Sequence, residues 1–136
     1  MAFAIKVIGR VESPLARLDG APRQSDEGAP PAILVLELDV AAGLEGLAAG
    51  DSIIVITWLH LGDRDTLQVH PRGDRSRPST GVFNTRSPDR PNPIGLHRVV
   101  VRSVAGHRVT VDALEALDGT PIIDIKPVLS EDVGSR

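Results

Sequence analysis

The sequence has no cysteine and no tyrosine, and its 136 residues include only three aromatic side chains, Phe3, Trp58 and Phe83. The absence of cysteine excludes disulfides, thiol nucleophiles, Cys-ligated zinc and iron–sulfur clusters. Because rings are so scarce, the core has to be built from Val, Ile, Leu and Ala, and few surfaces are available for aromatic stacking.

Long hydrophobic runs are also missing. The longest mainly apolar stretch, residues 52–61, is about half the roughly 20 residues that a membrane helix needs. The first eleven residues lack the basic start, long apolar centre and cleavage site of a signal peptide. We therefore expect a cytoplasmic protein with no membrane segment.

Length and composition predict one ordinary folded domain over residues 1–136. Hydrophobic residues make up 41% of the chain and charged residues 24%, as in soluble globular proteins. A chain of this size can bury its own core but is too short for two domains of typical size.

The net charge of -3 hides a basic centre. Residues 1–60 carry four basic and eight acidic side chains, residues 61–110 nine arginines and four aspartates, and residues 111–136 two basic and six acidic side chains. Arginine is suited to bidentate recognition of phosphate and carboxylate. The alternative is that an arginine simply pairs with a neighbouring aspartate, as Arg64 would with Asp63 or Asp65.

Short β-branched runs separated by Gly and Pro indicate an all-β fold. We predict strands at residues 4–12, 33–40, 52–60, 94–104, 108–114 and 122–125, with a further short strand at 67–69 and a helical turn as an option within 41–49. No stretch has helical periodicity over helical length. The pattern predicts a small antiparallel β-barrel or sandwich with few or no helices.

Common catalytic motifs are absent. The chain has no glycine-rich dinucleotide or phosphate loop, no H-E-x-x-H and no G-x-S-x-G. The four histidines lie at positions 60, 70, 97 and 107, without the close spacing of metal ligands, and we expect no metal. Each is read as a surface or core histidine, with His60 the best exception because it ends a buried strand.

Residues 81–96, GVFNTRSPDRPNPIGL, carry the densest set of polar groups. The prolines stiffen the segment, glycine allows a ligand close to the backbone, and Asn and Arg side chains between them offer hydrogen-bond donors. The alternative is a stiff loop that only caps the barrel, but this does not explain so many donors. The pattern favours a preorganised binding surface.

This segment, with Val7-Ile8-Gly9 and Ser13-Pro14 upstream, Pro22-Arg23-Gln24 in the first loop, and LDGTPIIDIKP at residues 117–127, resembles the TrmO (TsaA-like) family. The resemblance covers nearly the whole chain in the right order. It implies a small β-barrel methyltransferase that binds S-adenosylmethionine and works as a homodimer. It further implies a tRNA substrate, methylated at N6 of N6-threonylcarbamoyladenosine 37.

The resemblance also implies a site. Its cofactor-binding positions correspond here to Pro22, Arg23, Gln24, His60, Leu61, Arg86, Leu96, Asp118, Gly119, Thr120 and Pro121. For tRNA, the expected phosphate and substrate contacts are Arg72, Arg75, Arg77, Arg90 and Asn92. The catalytic base stays open among His60, Asp118 and Asp124.

Two departures from the family pattern keep alternatives open. The strand end Thr57-Trp58-Leu59-His60 replaces an aromatic-rich sequence of most relatives, and the insertion at residues 62–78 is typical of a subfamily. The alternatives are a methyltransferase with a small-molecule acceptor, and a non-catalytic barrel that binds S-adenosylmethionine or RNA. For tRNA, a flipped adenine would have to stack on Trp58 or Phe83, on the plane of an arginine, or on aliphatic side chains.

Overall fold

Alternating burial along the two longest central strands shows which face of the sheet forms the core. The computed structural model describes residues 2–15 and 28–129. In the strand Ser52–Trp58, the buried positions are 53, 55 and 57, and in Ile94–Ala105 they are 95, 97, 99 and 101. Period-two alternation is the signature of a sheet with one buried face.

Six strands pair in a closed ring. In chain order the strands of the described residues are β1 (Gly9–Glu12), β2 (Ala32–Leu36), β3 (Ser52–Trp58), β4 (Gln68–Val69), β5 (Thr80–Gly81), β6 (Ile94–Ala105), β7 (Arg108–Val111) and β8 (Pro121–Pro127). The ring order is β1-β2-β7-β6-β3-β8, all antiparallel, and the β1–β8 pair Gly9↔Ile122 closes it. The predicted antiparallel barrel is confirmed.

The barrel interior is aliphatic, as the scarcity of rings required. It contains Val11, Leu34, Ile53, Val55, Val99, Val101, Val109, Val111, Leu114 and Ile122, each at most 2% exposed. Gly9 allows β1 to lie against β2, because a Cβ there would collide with the Val35 carbonyl oxygen. Compact β-branched side chains therefore fill a narrow barrel that aromatic rings would overfill.

Several predicted strand boundaries are wrong. The first strand covers only Gly9–Glu12, and the upstream Phe3 and Ile5 are exposed. The second strand ends at Leu36, and the chain then turns through a 3-10 helix at Leu38–Leu44. β3 ends two residues early, β7 covers only Arg108–Val111, and β8 extends to Pro121–Pro127.

The insertion forms a second, smaller unit of structure. β4 and β5 pair through Gln68↔Gly81 and Val69↔Thr80. Single 3-10 turns at Pro71–Gly73 and Val82–Asn84 lie on either side of β5 in the chain. This two-stranded ribbon stands outside the barrel ring, and its strands are joined by residues 70–79, the basic loop, which contains Arg72, Arg75 and Arg77. Among the described residues, no helix is long and apolar enough to cross a membrane.

Candidate functional site

A wide cleft of about 1600 Å³ lies where β3 ends and β6 begins. Because Trp58 pairs with Ile94, and Thr57 with Ile122, the end of β3 and the starts of β6 and β8 meet at the same end of the barrel. The cleft walls come from this end of the barrel, from the basic loop and from residues 81–96, the proline-rich segment. Residues from three parts of the chain, 54–77, 84–98 and 115–120, therefore converge here.

The cleft brings together most of the site residues predicted from the sequence. Its walls include His60, Leu61, Arg86, Leu96 and Thr120, and also Arg72, Arg75, Arg77 and Arg90. Asp118, Gly119, Pro121 and Asn92 do not line it. Pro22, Arg23 and Gln24 lie outside the described residues.

Arg90 holds the proline-rich segment in shape. Its NH1 donates to the carbonyl oxygens of Thr85 and Ser87, both at 3.1 Å, and its NH2 donates to the Val82 carbonyl oxygen. With three backbone acceptors engaged, the guanidinium fixes the loop that carries Arg86. A phosphate contact by Arg90 stays a prediction, since these bonds engage three of the five N–H groups of the guanidinium.

Arg64 joins the insertion to the same segment. Its Nε donates to the Pro91 carbonyl oxygen at 2.8 Å, and its NH2 to Asn92 Oδ1 at 3.2 Å. Its guanidinium carbon lies 5.1 Å from the centre of the Trp58 ring, within cation–π range. Arg64 thus does not pair with its neighbouring aspartates. The Asn92 carbonyl oxygen serves this clamp, and a substrate contact by its amide N–H groups stays a prediction.

The end of β3 and the proline-rich segment are in close backbone contact. Leu59 N donates to the Pro93 carbonyl oxygen at 2.7 Å. A Cβ on Gly62 would collide with the Pro88 carbonyl oxygen and lie 3.0 Å from Pro93 Cβ, so this approach requires glycine. The wall that holds His60 and Leu61 is therefore fixed against the wall that holds Arg86.

The turn at residues 117–120 anchors the chain that leads into residues 16–27. Asp118 Oδ1 accepts from Ser13 N at 3.0 Å, and Asp118 N donates to the Leu15 carbonyl oxygen at 2.6 Å. Gly119 has φ +82°, which favours glycine. The buried Thr120 hydroxyl donates to the Leu117 carbonyl oxygen at 2.7 Å. Asp118 and Thr120 thus stabilise the turn through these hydrogen bonds.

The three candidates for a catalytic base are separated by the fold. His60 lines the cleft and is exposed. Asp124 is absent from the cleft walls, and its Oδ2 lies 3.4 Å from Lys126 Nζ. Asp118 is committed to the turn just described. Of the three, His60 alone faces the cleft formed by the described residues.

Sequence reasoning missed a line of buried polar side chains at the deep end of the cleft. Thr57 Oγ1 lies 2.7 Å from His97 Nε2, and His97 Nδ1 lies 2.5 Å from Glu115 Oε1. Glu115 Oε2 is buried and, among the described residues, has no hydrogen-bond donor. No spacing rule links positions 57, 97 and 115; only the β3–β6 register and the return toward β8 bring them together.

The basic loop is ordered by its own hydrogen bonds. His70 Nδ1 lies 2.9 Å from the Arg77 carbonyl oxygen. The Ser76 hydroxyl and backbone N–H donate to Asp74 Oδ1 at 2.5 and 2.9 Å, and they hold the pKa of the Asp74 carboxyl below its usual value. These turns leave Arg75 and Arg77 exposed at the cleft.

The charge of the cleft is strongly positive. Its lining includes Arg72, Arg75, Arg77, Arg86, Arg90 and Arg98, against the two carboxylates Asp89 and Glu115. Asp89 Oδ1 already accepts from Asp63 N at 2.9 Å. A chain that is acidic overall therefore concentrates positive charge at one face, where it attracts anions.

The two aromatic candidates for base stacking differ in exposure. Phe83 is 83% exposed and lies next to the cleft-lining Asn84. Trp58 is half-buried, and Arg64 covers one face of its ring. Phe83 is therefore the more accessible surface for stacking. In the part of the chain that the structure describes, no group of three His, Asp or Glu side chains could hold a metal ion.

Comparison with known proteins gives a consistent family. The sequence model described as tRNA-methyltransferase O N-terminal domain matches residues 10–132. A relative from Methanothermobacter thermautotrophicus, described as a probable S-adenosyl-L-methionine-binding protein, is 39% identical over 99% of this chain and 96% of its own length. An S-adenosyl-L-methionine-binding protein from Archaeoglobus fulgidus is 42% identical over 90% of this chain and 86% of its own length.

Solved structures agree with this family. Crystal structures of TrmO, one of them from Pseudomonas aeruginosa, superpose on the whole of this chain with a TM-score of 0.77, at 28% and 30% identity. This chain spans 61% and 62% of the length of those two chains. Both sequence and fold therefore point to the same group of proteins.

Proposed function

The chain belongs to the tRNA-methyltransferase O N-terminal domain family, and from that premise we propose that it is an S-adenosylmethionine-dependent methyltransferase acting on tRNA. The specific acceptor we propose is N6 of N6-threonylcarbamoyladenosine at position 37. The observation that carries the proposal is the convergence of His60, Leu61, Arg86 and Leu96 on one cleft. The sequence motifs of the family and the position of these residues in the structure support the same site.

The side chains of the cleft fit S-adenosylmethionine. Leu61 and Leu96 are 55% and 51% exposed, and they offer apolar surface for an adenine ring. The exposed guanidinium of Arg86 suits a carboxylate. Glu115 Oε2, buried without a donor among the described residues, suits an ammonium or a hydroxyl group. These apolar, cationic and acceptor side chains therefore match the adenine, the carboxylate and the ammonium or hydroxyl groups of the cofactor.

Bound S-adenosylmethionine supplies a methyl group on a sulfonium, which is already an activated leaving group. The residues of the chain then have to position the acceptor rather than provide a nucleophile. His60 faces the cleft and is our candidate for the base that accepts the N6 proton. Arg75 and Arg77 at the cleft are candidates for phosphate contacts, and Phe83 for stacking with a base.

We also propose a homodimer in the cytoplasm, the compartment of its tRNA substrate. The cleft is open and larger than the roughly 300–1,000 Å³ of typical ligand pockets, and Ile94 and Leu96 beside it are 41% and 51% exposed. A second copy over this apolar surface would narrow the cleft. Light scattering of the purified protein should give twice the mass of the chain, and the monomer mass would contradict this part of the proposal.

Calorimetry tests the cofactor. The unmutated protein should bind S-adenosylmethionine, and Arg86→Ala should weaken binding by about tenfold or more, since a charge-assisted contact is lost. The matched control is Arg102→Ala, which removes an exposed arginine of β6 that is not among the cleft-lining residues. It should leave the affinity unchanged. Failure of the unmutated protein to bind the cofactor refutes the proposed function.

A methyl-transfer assay tests the acceptor. The protein is incubated with methyl-labelled S-adenosylmethionine and tRNA that carries unmethylated N6-threonylcarbamoyladenosine, and the nucleosides are analysed by mass spectrometry. The expected product is that nucleoside heavier by one methyl group. Cofactor binding without labelled tRNA, but with label in small molecules of a cell extract, would indicate a small-molecule acceptor instead.

A further inference from the structure

The buried line Thr57–His97–Glu115 is the strongest polar feature inside the barrel end. Thr57 is fully buried, and the side chains of His97 and Glu115 are 5% and 12% exposed. The contacts of 2.7 Å and 2.5 Å connect all three in series. The surrounding interior is aliphatic, so this line is an exception that the packing of the barrel does not require.

The chemistry of the three groups fixes the direction of the hydrogen bonds. An ionised carboxylate only accepts, so His97 Nδ1 donates its proton to Glu115 Oε1. In a neutral imidazole Nε2 is then an acceptor, and the Thr57 hydroxyl donates to it. The Glu115 carboxylate therefore sets the tautomer of His97, with the proton on Nδ1, and the Thr57 hydroxyl donates to the remaining Nε2 acceptor.

Gly95 makes room for the ring. A Cβ at Gly95 would lie 2.6 Å from Thr57 Oγ1 and 2.8 Å from His97 Nε2, closer than packing allows. Gly95 and His97 are inward-facing neighbours on β6, and Thr57 is the register partner of Gly95 on β3. The backbone is thus adapted to hold the imidazole between the two strands.

Stability alone does not account for this arrangement. Buried ionisable pairs are often replaced by aliphatic side chains without loss of stability, because removing charges from water is costly. Moreover, only Oε1 of Glu115 is used within the described residues, while Oε2 is buried without a donor. An orphaned acceptor of this kind is unfavourable unless a ligand or a bound water supplies the donor. Glu115 lines the cleft, where such a ligand would lie.

We propose that His97 is a positioning residue of the cofactor site: it holds Glu115 by Oε1 so that Oε2 accepts from an ammonium or hydroxyl donor of the bound adenosyl amino acid. This inference rests on the proposed function. His97 does not contact the ligand itself; it acts through Glu115. Thr57 completes the unit by hydrogen-bonding to Nε2 at 2.7 Å, which fixes the orientation of the imidazole ring.

Three substitutions at one position separate positioning from mere packing. His97→Leu keeps much of the volume but donates nothing. His97→Asn places an amide N–H close to the position of Nδ1, where it can donate to Glu115, whereas His97→Gln reaches toward the Nε2 position and Thr57. We expect His97→Leu and His97→Gln to weaken binding about 10- to 100-fold, as loss of a hydrogen bond to a charged group does. His97→Asn should stay within about threefold of the unmutated protein.

The readouts are the dissociation constants of S-adenosylmethionine and of the unreactive S-adenosylhomocysteine, both by calorimetry, together with the melting temperature of each ligand-free variant. Positioning predicts that affinity follows the presence of the Glu115 donor and not the melting temperature. Equal affinities for His97→Asn and His97→Gln would overturn it, and so would unchanged binding by His97→Leu. If His97→Leu does not fold, the comparison of His97→Asn with His97→Gln still distinguishes positioning from packing. Lack of cofactor binding by the unmutated protein would instead refute the proposed function itself, and this inference with it.

Discussion

Replacing Gly95 by alanine tests whether the buried polar line is built as described. The added Cβ would meet Thr57 Oγ1 at 2.6 Å, His97 Nε2 at 2.8 Å and Leu59 Cδ2 at 3.1 Å. The first two atoms belong to nearly inaccessible side chains, so neither can move into solvent. The methyl group must therefore displace the imidazole or the hydroxyl and break the hydrogen bond between them.

The cost of Gly95→Ala follows from two effects. Overpacking a filled core costs about 1–3 kcal/mol, and leaving a buried hydrogen-bonding group without its partner costs about 1–3 kcal/mol more. Together this is about 2–6 kcal/mol. With an unfolding entropy of roughly 2.1 cal/mol/K per residue, a chain of this length should lose about 7–20 °C in melting temperature.

Differential scanning calorimetry measures this loss, and Gly43→Ala is the matched control. A Cβ at Gly43 meets nothing within 4 Å, and its φ is outside the left-handed region. That variant should stay within about 0.5 kcal/mol of the unmutated protein. A Gly95→Ala variant that melts like Gly43→Ala would refute the close packing of Thr57 against His97. Combining Gly95→Ala with Thr57→Ala should cost less than the sum of the two, since both remove the same hydrogen bond.

Three further predictions concern the cleft and its surroundings. Phe83→Ala should weaken tRNA binding by about tenfold in a filter-binding assay, as loss of one stacked base does. Phe83 is next in the chain to the cleft-lining Asn84, whereas the matched control Phe3, 82% exposed, has no cleft-lining neighbour in the chain, so Phe3→Ala should leave binding unchanged. Equal effects would exclude stacking on Phe83. Arg64→Ala should raise acrylamide quenching of the single tryptophan, because the guanidinium no longer covers the ring; unchanged quenching would contradict the clamp. Ser76→Ala should raise the pKa of the Asp74 carboxyl toward its usual value in an NMR titration. The ordering of the basic loop by that ionised carboxylate should be present above the usual pKa and be lost as the pH falls through the lowered one, so an unshifted titration would rule out the Ser76 contact in solution.

The fold was largely predictable from sequence because β-branched runs and Gly/Pro breaks report local strand preference. The predicted strand boundaries were wrong where pairing with a neighbouring strand determines the end of a strand. Phe3 to Val7 alternate as a strand would, but these side chains are 82%, 52% and 37% exposed at positions 3, 5 and 7, and sheet pairing starts only at Gly9. Likewise, residues 37–40 (ELDV) alternate charged and apolar side chains as a strand would, yet pairing ends at Leu36, opposite Gly9, and the chain turns into a 3-10 helix. Hydrophobic alternation records where a strand is possible, not where a partner strand exists.

Some residues of the candidate site could likewise be predicted from the sequence, and others could not. Arg86 and Leu96 belong to a contiguous motif that sequence inspection can find. His97 follows Leu96 directly, yet on a strand successive side chains point to opposite faces, so His97 enters the interior while Leu96 faces the cleft surface. Its partner Glu115 lies 18 positions away. Only the barrel register brings the two together, which is why a scan for closely spaced histidines and carboxylates passes over them.

The positive charges of the cleft are exposed and its unpaired carboxylate oxygen is buried. We therefore expect tRNA phosphate to bind at the exposed level and the cofactor at the buried level. The rim arginines, Arg72, Arg75 and Arg77, are exposed, whereas Glu115 is nearly buried and has the one carboxylate oxygen in the described cleft wall that is buried without a donor. A cationic cofactor among several arginines would be repelled unless a carboxylate lay at the floor, and polyanionic tRNA would be repelled by that carboxylate unless arginines surrounded it. His97→Leu and His97→Gln should therefore weaken cofactor binding and leave the salt dependence of tRNA binding unaltered. Each rim arginine removed should lower that salt slope by somewhat less than one. A rim substitution that altered only cofactor affinity would show that the two levels are not separate.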